Sequence, residues 1–303
     1  MAKQTYLALV NTILRRISQS TITDVTAATG HAKIVCDLFN EAQNALFVET
    51  NWYSLYKTRQ FTTTTYTVST IAFTNANPDT ITDSANGFGS FQSGQHILVT
   101  GSTSNDGTYY VSTAAAGTLT LQLSDSLTVE SAGASVTITA ITYPVASDWG
   151  RTIDLADVSN NTMLTEDVLR AFDEADPNAD YTGTPTHFSL QGAAYRLYPM
   201  VAGAYKIRER YWMAPTSLSA NTSTSDLPIE CENILIHWAW YKILEYMNKF
   251  EQADRLRIET QRLLSQAKSM NDKMIDKMHV MSANMYHNGL QPPRFPSHYG
   301  RMY

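Results

Sequence analysis

The sequence predicts an α+β chain: a helical bundle from its N- and C-terminal helices, a small antiparallel sheet, and an inserted all-β module of sandwich or barrel type. Three observations carry this expectation. Apolar residues recur at helical spacing at both ends of the chain. Between about 68 and 142 the period shortens to that of strands. The same middle stretch is empty of cations, with no Lys or Arg between Arg59 and Arg151.

That gap holds Asp79, Asp83, Asp106, Asp125, Glu130 and Asp148. These six acids account for the whole net charge of −6, because the other 22 acids are matched by 22 Lys and Arg. A break this sharp marks a separate module. It is placed at 68–142, inserted between core segments 1–67 and 143–279, with an extended C-terminal arm at 280–303. Without cations the module is a poor binder of nucleic acid, since phosphate contacts need positive charge. At 43% hydrophobic, the 303-residue chain can bury a core. No apolar run approaches the roughly 18–20 residues of a membrane span, so no membrane partner is expected. The start, MAKQTYLALVNTILRRI, lacks the apolar block and cleavage site of a signal peptide. A protein made and kept in cytoplasm is the expectation, with Cys36 and Cys231 as buried thiols.

Tyr6, Leu9, Val10, Ile13, Leu14 and Ile17 form one helical face over 5–18. A second helix spans about 31–50, with Ile34, Val35, Leu38, Ala42, Ala45 and Leu46 inward. WYSLYKTRQFTTTT then reads as extended. In the module, TVSTIAF, HILVTG, TYYVST, TLTLQL and SVTITAI read as five strands separated by turn clusters. Asn105-Asp106-Gly107 signals a tight turn, because Gly tolerates positive φ. Residues 162–188 connect, with about one helical turn. THFSLQG, AAYRLYPM and AYKIRERYWM read as three strands of one sheet. From about 229 a long helical stretch begins, with Pro228 suited to its first turn. Its first face is Ile234, Trp238, Tyr241, Leu244 and Met247. A second face is Ala253, Leu256, Leu263, Ala267, Met270 and Met274. A break near Asn248–Phe250 folds the stretch into a hairpin.

Catalytic signatures are missing, and the chain is read as no enzyme, with no cofactor and no metal. GSTSNDGT lacks the Gly-Lys-Ser/Thr ending of a phosphate loop. It also lacks the carboxylates of a calcium loop. Asp173, Glu174 and Asp176 read as a solvated loop, and His237 as a packed histidine. Glu230 and Glu232 suit the positive end of a helix. Arg255, Arg257, Arg262 and Lys268 interleave with acids, as on a salt-bridged surface or a subunit interface.

Aromatic and apolar side chains exceed the needs of one core, with 17 Tyr and five Trp. Tyr, Trp and Arg anchor interfaces. The candidates on helices are Trp238, Trp240, Arg255, Leu256, Leu263 and Met270. On the arm they are Arg294, Phe295, Tyr299, Arg301 and Tyr303. In the β-module the aromatic cluster is Phe88, Phe91, Tyr109 and Tyr110, the place to look for a sugar-binding face.

LALVNTILRRIS, NALFVETNWYS, GTPTHFSLQGAAYRLYPMVAGAYKIRERYWMAPTSLS and DLPIECENILIHWAWYKIL together resemble the head-to-tail adaptor (connector) proteins of tailed bacteriophages, especially the tail-tubular-protein-A-like adaptors. The matching positions are Gly183, Pro185, Pro199, Tyr211, Leu227 and Pro228, over about 1–60 and 180–270. The resemblance implies a virion structural protein in the head–tail neck. It implies a homo-oligomeric ring, commonly of twelve copies, that joins the portal protein to the tail nozzle or tube. Genomic DNA would pass through its channel without specific binding. The C-terminal helices and arm would engage the portal or the next subunit. The β-module would face a neighbour such as the next subunit, a capsid vertex protein or a tail fibre. A receptor- or carbohydrate-binding tail protein is the alternative.

Overall fold

The computed structural model describes residues 2–176, 181–201 and 203–285, with side chains described as far as residue 275. Its helices are α1 (Tyr6–Arg16), α2 (Gly30–Glu49), α3 (Leu169–Ala175), α4 (Glu232–Tyr246) and α5 (Phe250–Met285). The chain divides into two compact units: Met1–Tyr56 with Ala214–Tyr303, and Lys57–Met213.

The first unit brings the helices of both chain ends together. Thr5 caps α1, its hydroxyl accepting the Ala8 N–H at 3.3 Å. Ser18, at φ 59°, ends it, with the Ser18 and Gln19 amides donating to the carbonyls of Arg15 and Leu14. All six apolar residues expected on its inner face are buried. On α2 the buried line is Val35, Phe39, Ala42 and Leu46, with Ala32, Cys36 and Gln43 beside it. Ile34 and Leu38 are half-buried and Ala45 is exposed, so the face is turned from the one expected. Gln43 explains part of this. Its amide donates to Thr216 O and accepts from the Ser225 hydroxyl, which pins the 214–227 loop on the helix.

α4 packs against α1, α2 and α5. It is apolar on nearly every side, as a central helix must be: Ile234, Leu235, Ile236, Ala239, Tyr241, Ile243 and Leu244 are all buried. It stops at Asn248, at φ 61°, where the Asn248 and Lys249 amides donate to Glu245 O and Leu244 O. The long stretch is thus a hairpin. The inner line of α5 is Ala253, Thr260, Ala267 and Asn271. Leu256 and Leu263 flank it, while Met270 and Met274 lie on the rim. The helix continues to Met285, so residues 280–285 of the expected arm are helical. The remainder of that arm lies outside the described residues.

The second unit is mostly sheet. After β1 (Tyr56–Thr62) come β2 (Thr65–Val68), β3 (Ile71–Thr74), β4 (Thr80–Asp83), β5 (His96–Thr100), β6 (Gly107–Ala115), β7 (Thr118–Leu121) and β8 (Val136–Ala140). These last seven form one sheet, in the order β2-β8-β5-β6-β7-β4-β3. The sequence suggested five strands and a sandwich or barrel. TVSTIAF is two strands, and β4 is too short for its period to stand out between turn clusters. No ladder joins β2 to β3 among the described residues, so the sheet is not a closed barrel.

Then follow β9 (Thr142–Pro144), β10 (Trp149–Asp157), β11 (Thr162–Met163), β12 (Thr165–Glu166), β13 (Thr182–Gly183), β14 (His187–Gln191), β15 (Ala194–Tyr198), β16 (Met200–Val201) and β17 (Lys206–Met213). Two four-stranded sheets result, β1-β17-β10-β11 and β12-β14-β15-β9, with a small β13-β16 pair. The three strands expected in one sheet are divided between the two larger sheets. One buried cluster runs through the unit, from Ile71, Phe88 and Ile97 to Tyr143, Leu155, Phe188 and Ile207. This shared core sets the unit boundary at 57–213, wider than the charge gap.

Two polar devices hold this unit. β17 alternates, turning Ile207, Glu209, Tyr211 and Met213 inward. Glu209 has no exposure to solvent. It accepts from the Arg59 guanidinium and, at 2.7 Å, from the Tyr195 hydroxyl, which meets Thr152 Oγ1 at 2.7 Å. Arg59 also donates to Pro144 O. One carboxylate thereby ties β1, β10, β15 and β17 together, and Arg59 reaches β9.

The other device is the acids of the charge gap. Each accepts hydrogen bonds from N–H or O–H groups. Asp79 takes the amides of Ala76 and Leu127. Asp83 takes those of Ala85 and Gly87 with the hydroxyls of Thr70 and Tyr66. Asp125 takes Tyr110 N and Gln122 Nε2. Glu130 takes Thr103 N, Ser104 N and Asn105 Nδ2. Asp106 takes Ser102 N and Oγ, and Asp148 the Tyr211 hydroxyl. Burial alone would raise the Asp83 and Asp106 carboxyls, but these bonds outweigh it and hold both below the usual range. Glu130 is lowered chiefly by the Thr103 amide.

These contacts set how the unit responds to pH and to substitution. A carboxyl depressed in the folded state adds stability above its unfolded pKa of about 4 and loses it as pH falls further. Urea midpoints of the protein should therefore hold steady above pH 5 and drop below 4. Asp83→Asn, which turns an amide toward buried donors, should cost about 2–3 kcal/mol at pH 7. An unchanged urea midpoint would contradict this account. Arg59→Ala leaves Glu209 buried and unpaired, with an expected loss of about 3–5 kcal/mol. The double variant Arg59→Ala/Glu209→Gln should recover part of that loss in the same melts.

Candidate functional site

Of the four rings expected to form a sugar face, two are core residues. Phe88 and Phe91 are buried and meet edge to face at 5.9 Å. They seal the sheet because the 3₁₀ turn at Gly87–Ser90 folds them inward. Tyr109 and Tyr110 are half-buried. The Tyr109 hydroxyl donates to Asn105 O at 3.0 Å, and Tyr110 stands edge-on to His96 at 5.1 Å. No ring cluster open to a ligand results from these four. The SNDG signal is not a two-residue hairpin turn either. It ends a longer β5–β6 connection, held by Asp106 and Glu130. Gly101, at φ +83°, is required there, because a Cβ would sit 2.6 Å from Ser135 O.

On the helices the candidates separate. Trp238 and Trp240 stand two residues apart and so project to opposite sides of α4. Trp238 packs edge-on to Tyr241, with Lys242 Nζ 5.6 Å from its ring. The Arg16 guanidinium lies 4.4 Å over Trp240, beside His237. Burial and the Arg16 charge lower the His237 pKa. Arg255 is exposed and pairs with Glu251 at 2.6 Å. Arg294, Phe295, Tyr299, Arg301 and Tyr303 lie outside the described residues.

Met270 leads to a feature the sequence did not announce. A groove of about 380 Å³ opens on the helical unit, lined by Trp52, Tyr53, Glu230, Met270, Asn271 and Met274 among others. Asn271 builds it. Its side chain accepts from Tyr53 N and donates to Asn51 O, both at 2.8 Å, and is 2% exposed. Trp52 is fixed behind it by an Nε1–H bond to Leu46 O at 2.8 Å. Met270 and Met274 are 51% and 40% exposed. Oε2 of Glu230 is buried with no hydrogen-bond partner among the described residues. The groove therefore offers apolar walls and one carboxylate oxygen wanting a donor.

The acidic cluster at 173–176 has structural partners. Asp173 pairs with Arg196 and Glu174 with Arg170, each at 2.6 Å, while Asp176 accepts the Tyr181 amide. Burial pushes the Cys231 thiol up to about 12. Among the described residues no cluster of His, Cys, Asp or Glu is placed to hold a metal ion. No described helix is long and apolar enough to cross a membrane.

A family model described as SU10 adaptor protein matches residues 108–291, more than half of the chain. The chain belongs to the SU10 adaptor protein family. No curated protein matches it. The adaptor match begins inside β6, so it takes in the last three strands of the seven-stranded sheet and every later element. It also contains the segment from Gly183 to Pro228 that carried much of the resemblance to phage adaptors. The N-terminal helices lie outside it.

In this adaptor, Asn271 has a measurable duty. Asn271→Ala removes two hydrogen bonds and leaves the Tyr53 amide without its acceptor, an expected cost of about 2–3 kcal/mol. Asn271→Asp keeps the acceptor but buries a carboxylate against Asn51 O, and should cost at least as much. Thermal melts of the two variants, run side by side, check the order.

Proposed function

We propose that this adaptor is a structural virion protein, not an enzyme, which forms an oligomeric ring joining the portal to the tail nozzle or tube. The family match over 108–291 carries the reading. A ring of twelve copies, extending the DNA channel in the manner of the tail-tubular-protein-A-like adaptors, is its specific form. The half-buried helical residues Trp238, Trp240, Leu256 and Leu263 support subunit contacts, since such side chains gain most from further burial. The C-terminal arm engages the portal or the adjacent subunit. DNA passes without being held, in keeping with a chain of net charge −6 whose cations are interleaved with acids.

Electron microscopy of purified virions tests the reading. A ring of this chain between portal and tail, with a central hole, is the expected result. Its absence from virions overturns the proposal.

A further inference from the structure

The groove on the helical unit and the C-terminal segment of the chain carry complementary chemistry. Glu230 presents a buried carboxylate oxygen with no donor among the described residues. Met270 and Met274 leave apolar surface exposed beside it. Residues 286–303 contain no Asp or Glu, and within them Arg294 stands next to Phe295. A guanidinium supplies donors for the carboxylate, and a phenyl ring suits methionine walls.

Reach favours the same chain. From Met274 to the last described helical residue, Met285, α5 rises about 17 Å. Arg294 follows nine residues later, a span of up to about 30 Å when extended. The segment is long enough to turn back to the groove of its own molecule.

We propose that the groove seats the chain's own Arg294–Phe295, with the guanidinium on Glu230 and the ring against Met270 and Met274. In the free protein this stows the C-terminal segment until a partner competes for it. The inference stands on the groove and the segment, not on the adaptor reading, and it is tested without portal or tail.

The test is limited trypsin digestion of the full-length chain. The Arg294–Phe295 bond is a cleavage site, and its rate is compared with that of the same bond in a synthetic peptide of residues 286–303. Docking should slow it about tenfold, because cleavage follows the population of the open form. Glu230→Gln should return the rate to near that of the peptide, and dilution of the protein should not change it. Circular dichroism confirms that the variant is folded; if it is not, Met274→Lys, at an exposed position, replaces it. Equal rates in protein and peptide overturn the proposal. So does protection that survives both substitutions. Protection that fades on dilution overturns it in favour of a second copy as the occupant.

Discussion

A carboxylate removed from water governs the β-rich unit. Glu209 sits on a strand whose neighbours in alternation are Ile207, Tyr211 and Met213, so the pleat itself forces a charge into an apolar layer. Burying an unpaired carboxylate is prohibitive, and everything around Glu209 answers that demand. Arg59 must come from β1 and Tyr195 from β15, and Tyr195 must keep Thr152 in reach. The partners arise from separate strands of two sheets. Their positions are mutually fixed by a geometry no hydrophobic contact would impose. Burial, then the Asp148 acceptor, pushes the Tyr211 phenol up to about 12, so this companion on β17 stays a neutral donor.

The seven-stranded sheet solves the same problem differently. It contains carboxylates but no cations, and it meets them with backbone amides and hydroxyls. A carboxylate that accepts two or more N–H bonds is stabilised as an anion without any ion pair. Asp79, Asp83 and Glu130 therefore act as connectors between the loops of the sheet. Asp83 joins β2, the β2–β3 turn and the 3₁₀ turn at once. The acids that mark the module in the composition are largely internal wiring.

This is also where reading the sequence succeeded and failed. Helices were legible because Tyr6 to Ile17 and Ile234 to Leu244 repeat over several turns, and long periods average out local exceptions. The Asn248 break was legible because Asn tolerates the left-handed conformation. Short strands such as β4 and β12 left no period to detect. β10 was missed because its apolar Ile153 is exposed, its Asp157 is buried and its bulges interrupt the alternation. Phe88 and Phe91 were misread as surface because their burial depends on a Gly-containing 3₁₀ turn that no pattern of aromatics reveals. The groove was invisible for a different reason: its walls come from residues 52–53, 228–230 and 267–274, which only the tertiary fold assembles.

That last point ties the hairpin to the surface it creates. Were α4 and α5 one straight helix, Asn271 would lie about 38 Å beyond Tyr246, too far to hydrogen-bond the segment after α2. The αL turn at Asn248 folds α5 back, and the small inner residues Ala253, Thr260 and Ala267 let it lie close to its neighbours. Only then does Asn271 meet Asn51 and Tyr53, and only then do Met270 and Met274 face Glu230 across an opening. One residue with positive φ thus decides whether the chain has a groove at all. The exposure of Met270, anomalous for a residue in phase with Leu256 and Leu263, is the consequence: its helix has run past α4 and onto a surface left unfilled.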